Sequence, residues 1–584
     1  MVGSASRRRR EGISVMNRLS ILLASVALTA TVTAAPALAG RGSDGNLKVL
    51  YWQAVSVLNP YLSGGTKDLH GSSVVLEPLG RFDENGVIVP TLVDTVPTLA
   101  NGGIAADLKS VIWKLKPGLK WSDGTDMTAE DVVFTWQYCM APGGGCQQAT
   151  NFEDVTAVDA VDPLTVKISF KVPKPNPYGP FVGNKSPILQ KAQFKDCMGA
   201  RAPECTSANF GPHGTGPFKV KEFKANDVVL FEANPYYRDP NKPAFATLTL
   251  KGGGDAASAA RSVLETGEFD YAWNLLIEPE ILATMEKAGK GVVISSFGSL
   301  VERINVNAFA VDSSLGAKRS TKEAGPHPFL SDPAVRRALS LAIDRDLLVE
   351  TGYGKSGKAS CNVIPAPPAY ASTGNDSWCL KQDVAAANKL LDDAGWKKGP
   401  DGIRAKGGVK LSVLFQTSTN SVRQAAQALI KDMWAQIGVQ TELRNVSASV
   451  FFGGDPGSPD TFQKFYADLE MYANNFDGTD PEKYLAEWGC DKIPAPQTGW
   501  RGQNIPRYCN PAYDALITEY AKTAIPEQRA EIAKKMNDML AADGAHIVLV
   551  HRGDVSARAK SLEGVRMNSW DSQLWNVADW YRKK

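Results

Sequence analysis

The chain has 584 residues, of which 43% are apolar, 22% charged and 9% aromatic, ordinary globular material sufficient for more than one hydrophobic core. Lysine plus arginine total 64 and aspartate plus glutamate 62, so no bulk charge recruits nucleic acid or an anionic membrane. Histidine is scarce (His70, His213, His327, His546, His551), and neither an HExxH run nor paired CxxC spacing occurs, which leaves no locally assembled zinc site.

At the N-terminus, Met16-Asn17-Arg18 opens an apolar run that closes on Ala37-Leu38-Ala39. A positive start, an apolar centre and an AxA end predict a secretory signal peptide over residues 1–39, cut near Ala39. The alternative is a retained membrane helix, but the run is only about twenty residues and rich in Ala and Thr. Met16 is itself a candidate start, because residues 1–15 add only a polar, arginine-rich patch. No cysteine follows the expected cut, so no lipid anchor is expected there, and the mature protein is expected to be soluble and periplasmic.

Eight cysteines fall into four sequence-neighbouring pairs: Cys139 with Cys146, Cys197 with Cys205, Cys361 with Cys379, and Cys490 with Cys509. In an oxidising compartment local disulfides are the economical reading, with buried free thiols as the alternative. Either way the cysteines are structural.

In chain order, Leu47 to Gln53 reads as a buried strand, followed by the polar loop Ser63-Gly64-Gly65-Thr66. A strand at Val111 to Leu115 leads to a turn at Asp123-Gly124. A helix then starts at Thr128, with Val132, Val133, Trp136 and Met140 as its expected buried face. Asp123, Asp126, Glu130 and Asp131 are either a cation-binding cluster or turn and helix-start charges; the second reading is preferred. A strand at Val166 to Phe170 precedes a proline-loaded crossing, KVPKPNPYGPF. Further on come a strand at Val228 to Phe231, a helix at Ser258 to Leu264 and a strand at Phe269 to Trp273. Asp332-Pro333 then starts a helix with Val335 and Leu339 on its core face. Gly354-Lys355-Ser356 is not a phosphate loop, since Val349 occupies the first glycine position. It is not a nucleophile elbow either, since Lys358 stands where that motif needs glycine.

Residues 383–445 alternate helix (Val384 to Ala394), strand (Leu411 to Gln416), helix (Val422 to Ile437) and strand (Val439 to Leu443), which predicts an α/β fold. A loop rich in Gly and Pro follows, with a helix expected at Asp460 to Tyr466. Leu469, Met471 and Ala473 alternate as a strand that runs into Asn474-Asn475-Phe476-Asp477-Gly478. Asp480-Pro481-Glu482 then reads as a helix start. A strand that hands over to a helix through such a loop is a common ligand edge in α/β folds. A helix at Pro526 to Ala541, a strand at Ile547 to Val550 and a tail carrying Trp570, Trp575 and Trp580 complete the chain.

Six segments in order, LNPYLSGG, KPGLKWSDGTDMTAEDVVFTW, GTGPFKVKEF, EANPYYRD, LETGEFDYAW and DPAVRRALSLAIDRDLL, resemble extracytoplasmic solute-binding proteins. The similarity is to the peptide/nickel-binding class of ABC importers (oligopeptide- and dipeptide-binding proteins) and covers nearly the whole mature chain. It implies a two-lobed periplasmic binding protein, a Venus flytrap with mixed sheets and an additional inserted domain. The first lobe would take residues 40–72, 210–305 and 546–584, the inserted domain 73–209 and the second lobe 306–545. The implied function is capture of a solute, short peptides first, in the inter-lobe cleft. Hinge closure then delivers it to a membrane permease, with no chemistry, no cofactor and no metal. The protein is expected to act as a monomer. An opine, an oligosaccharide or a nickel chelate is the alternative ligand, and a secreted hydrolase the remote alternative.

In peptide-binding members an aspartate in a D-x-x-[DE]-P setting bonds the α-ammonium group of the ligand. The matching residues are Asp477-Gly478-Thr479-Asp480-Pro481. A charge taken out of water needs an opposite charge and hydrogen bonds, so Asp477 either holds that ammonium or only fixes its own turn. Asp480 is expected to cap the helix. Asn474, Asn475 and Phe476 are expected along the same edge, and Ser63, Gly64, Gly65 and Thr66 facing it. Asn474 stands where the family has a tryptophan, and no arginine for a ligand carboxylate is located.

Overall fold

The computed structural model describes residues 40–476 and 478–583. The expected signal peptide and Asp477 lie outside them. Three sheets organise the described chain. A seven-stranded sheet runs in the order Gly291–Ser296, Asp554–Ala559, Tyr271–Trp273, Asn46–Tyr51, Thr247–Gly252, Val228–Ala233, Phe218–Lys224. Asn46–Tyr51 is parallel to both of its neighbours, and the outer pairings are antiparallel. A six-stranded sheet runs Gly357–Ala359, His546–Arg552, Val301–Val306, Leu469–Asn474, Ser412–Ser418, Gln440–Val446. It is parallel only between its last three strands. A three-stranded antiparallel sheet joins Ser110–Lys114, Thr165–Phe170 and Val155–Asp162 and has its own core around Trp113, Trp121 and Phe181. The architecture is the expected mixed α/β one.

The chain passes between the two large sheets twice, through 297–300 and through Gly553. Strands Val301–Val306 and His546–Arg552 abut the expected lobe boundaries and pair in the six-stranded sheet. Every residue of Val301–Val306 is buried, which marks a strand covered on both faces. The helices form where their caps lie. Asp332 accepts from the Ala334 amide at 2.9 Å and starts Pro333–Leu341. Asn420 accepts from the Arg423 amide at 3.1 Å and starts Ser421–Gln436, which sends Ile430 and Trp434 into the core against Phe415. Each such cap satisfies an amide that the first helical turn leaves unpaired.

All four neighbouring cysteine pairs are disulfides. In the tail, Trp580 is fully buried against Tyr271, with ring centroids 5.1 Å apart. Two local expectations change. No helix forms at 460–466: Phe465 takes a left-handed φ of 48°, and Arg507 donates to the carbonyls of Gln463 and Lys464. In Ala129–Met140 the capping box with Thr128 is completed by Asp131, while Glu130 pairs with Lys191 at the surface. The buried face of that helix runs through Val132, Phe134, Tyr138 and Cys139, and Met140 is exposed. Asp123 binds Thr125 and Gln190, and Asp126 pairs with Lys120. The four carboxylates therefore go to separate partners, as turn and helix-start charges do.

Candidate functional site

A cavity of about 70 Å³ lies where the two large sheets face each other. The seven-stranded side contributes Trp273, Asn274 and Asp554, together with Gln53 just past its first strand. The six-stranded side contributes Tyr472, Ala473, Asn474, Asn475 and Arg552, with Arg423 from Ser421–Gln436. Helix Thr66–Ser72 and the loop before it supply Gly64, Gly65, Thr66, Lys67 and His70.

Two guanidiniums share one carboxylate at this wall. Arg423 binds Glu302 through two bonds of 2.7 and 3.1 Å. Arg552 stands 3.5 Å from the same carboxylate and donates to the Asn274 side chain. Burial opposes the Arg423 charge, but the charge and hydrogen bonds of Glu302 more than offset it and raise its pKa. Burial pushes Arg552 down, against the pull of Glu302. Asp554 sits beside Arg552, its carboxyl pushed up by burial and held back by Ser569 and Arg552. Burial also lowers His70 to about 3, so its imidazole faces the cavity uncharged. Lys67 reaches back to Asp68 at 3.0 Å and to Ser56 at 2.9 Å. Glu302 and, beside Arg552, Asp554 thus face the Arg423 and Arg552 guanidiniums, in surroundings where charge is poorly screened.

The expected site residues separate into groups. Asn474, Asn475, Gly64, Gly65 and Thr66 line the cavity. Ser63 lies behind its wall, donating to Asp68 at 2.7 Å and accepting from the Gly65 amide at 3.0 Å. Phe476 does not line the cavity: Ser299 holds both its amide and its carbonyl. Its ring packs on Tyr484 along a second cavity of about 500 Å³. Asp480 is committed, accepting from the Glu482 amide at the start of Glu482–Ala486 and pairing with Arg529 at 2.7 Å. Among the described residues, no group of three or more His, Cys, Asp or Glu is placed to hold a metal ion. Sequence reasoning missed Arg423, Arg552, Trp273 and Asp554, because they are isolated residues in core-like strands and a helix, with no local motif. Among the described residues no helix is long and apolar enough to cross a membrane.

Residues 94–494, more than half of the chain, match the model of the bacterial extracellular solute-binding proteins, family 5 (middle). Protein XP55 of Streptomyces lividans is 26% identical over 550 residues, covering 93% of this chain and 91% of that protein. The glutathione-binding protein GsiB of Escherichia coli K12 is 23% identical over 512 residues, covering 87% of this chain and 89% of its own. The oligopeptide-binding protein AppA of Bacillus subtilis, solved in complex with a nonapeptide, superposes with a TM-score of 0.78 at 21% identity. That match covers 93% of this chain and 100% of AppA. The chain belongs to family 5 of the bacterial extracellular solute-binding proteins.

Proposed function

We propose that the chain is the solute-capturing component of an ABC importer that takes short peptides into the cleft between its two large sheets. It passes them unchanged to a membrane permease after export from the cytoplasm. The observation that carries this reading is the charge arrangement of the cleft wall. Arg423 and Arg552 come together on Glu302 at the cavity wall, with Asp554 beside Arg552, so that a ligand carboxylate would meet two guanidiniums there, and the loop of Asn474 and Asn475 continues to Asp477, our candidate for the ligand ammonium. The names of GsiB and AppA, a glutathione-binding and an oligopeptide-binding protein, support the same ligand class. A cavity of about 70 Å³ has room for a few waters only. The sheets must stand further apart to admit a peptide, and 297–300 and Gly553 are the two connections about which they would move. We divide the lobes at those crossings, keeping 73–209 as the inserted domain.

A second ligand class has one observation in its favour. Seven carboxamides (Gln53, Asn274, Asn474, Asn475, Gln503, Asn568 and Gln573) line the cavity with the rings of Trp273, Phe452 and Phe462, a set that also suits the hydroxyls and flat faces of an oligosaccharide. Mass spectrometry of the extract released by denaturing the purified protein decides between them. Short peptides are expected; sugars or opines without peptides would refute the peptide reading. Release of cleaved products from an added peptide would refute capture without chemistry.

A further inference from the structure

Away from the cleft wall, one face of the six-stranded sheet carries an unusual row of buried polar side chains. His546 and Asn305 are paired in register, as are Asn305 and Glu470, and Glu470 and Gln416. These four residues cross four neighbouring strands in one line. Arg303, two residues before Asn305 and on the same face, lies beside them. All five are at most 2% exposed. Trp488 covers the row: its ring centre lies 5.3 Å from the Arg303 guanidinium and 5.0 Å from the His546 ring.

Several hydrogen-bonding groups around Trp488 are left without partners. Arg303 Nε, Trp488 Nε1, both amide atoms of Asn305 and both ring nitrogens of His546 have no partner among the described residues. Arg303 donates to the Tyr484 hydroxyl through Nη1 and lies over the Tyr484 and Trp488 rings. Among the described residues it makes no ion pair. Nearby Arg507 spends its donors on the carbonyls of Ser320, Ile505, Gln463 and Lys464, so it too lacks a carboxylate in contact. A buried charge without a counter-charge is strongly unfavourable, and aromatic faces offset only part of that cost.

We propose that this cluster of buried unpartnered groups is a binding site for a small monovalent inorganic anion of the halide type, held by Arg303 Nε, Trp488 Nε1, the Asn305 amide and the N–H of His546. Within this quartet, donor groups outnumber acceptors and one of them is a full cation, a balance that suits an anion better than a water molecule. Burial, then the charge of Arg303, hold the His546 imidazole neutral, so it offers one N–H beside the anion. The remaining acid in the row, Glu470, is pushed up by burial and pulled down by the charge of Arg507, so that in this row one acid faces two guanidiniums, those of Arg303 and Arg507.

The test is crystallographic and thermodynamic. Crystals grown with bromide in place of chloride are expected to show an anomalous peak within hydrogen-bond reach of Arg303 Nε and Trp488 Nε1. In solution, at constant ionic strength, added chloride should raise the melting temperature in a saturable way. Trp488→Phe keeps a ring but removes the N–H, and should weaken half-saturation about 10-fold, the loss of one charge-assisted hydrogen bond. Arg303→Met should abolish the response. An ordered water without anomalous signal at this cluster would overturn the proposal, as would an unchanged chloride response in Trp488→Phe. Neither outcome depends on which solute the cleft binds.

Discussion

Acid should unfold this protein partly through one residue of the cavity wall, His70. It is 4% exposed, packs edge-on against Tyr51 and Trp273, and holds the Tyr51 hydroxyl at 3.2 Å through Nδ1. Burial lowers its pKa from 6.5 to about 3. The unfolded chain takes up this proton near pH 6.5, whereas the folded chain resists it until near pH 3. The contribution to stability is therefore fully present above pH 6.5 and is lost as pH falls towards 3. At pH 5 the deficit is about 1.5 pH units, or about 2 kcal/mol at 1.36 kcal/mol per unit. Urea denaturation of ligand-free protein at pH 7.5 and 5.0 measures it. His70→Gln keeps a partner for Tyr51 but does not titrate, so the parent should lose about 2 kcal/mol more than the variant between the two pH values. Every other titrating group is common to both proteins and cancels. Equal losses would refute the reasoning.

Glu302→Gln should destabilise the protein by about 3–5 kcal/mol in the same assay, because it leaves two buried guanidiniums without their shared carboxylate; a loss below about 1 kcal/mol would mean that the arginines are otherwise solvated. Replacing Cys361 and Cys379 together by alanine opens a loop with a sequence separation of 18 and should cost about 3 kcal/mol, read as a lower urea midpoint. Asp477→Asn should weaken peptides with a free N-terminus far more than N-acetylated ones in calorimetric titration; equal weakening would make Asp477 a turn residue only. Arg552→Met should discriminate in the same way between peptides with free and amidated C-termini, and an equal loss would place the ligand carboxylate elsewhere.

The residues that made helices and disulfides predictable act over short stretches of chain. Asp332 and Asp480 each accept a backbone amide two residues on, and cysteines 7 to 19 residues apart find each other before any long-range order is needed. The strand periodicities at 46–51, 412–418 and 469–474 are legible for the same reason. The helix expected at 460–466 failed because Phe465 turns left-handed, in a segment whose carbonyls at Gln463 and Lys464 are tied to Arg507, more than forty residues away.

The cleft was legible only at its loops. Asn474, Asn475, Gly64, Gly65 and Thr66 carry turn and edge signals, and they do meet. Arg423, Arg552 and Glu302 look in sequence like ordinary residues of a helix and two strands. Their convergence follows from strand order, which sets Val301–Val306 between Leu469–Asn474 and His546–Arg552. Phe476 reads as part of the same edge, yet Ser299 turns it toward another cavity. The sequence by itself determined most of the elements and the family, and made neighbouring cysteine pairs the economical reading, because caps, periodicity and spacing are local. Which side chains share a buried space is a property of the sheets, since register and strand order place neighbours without regard to their distance along the chain.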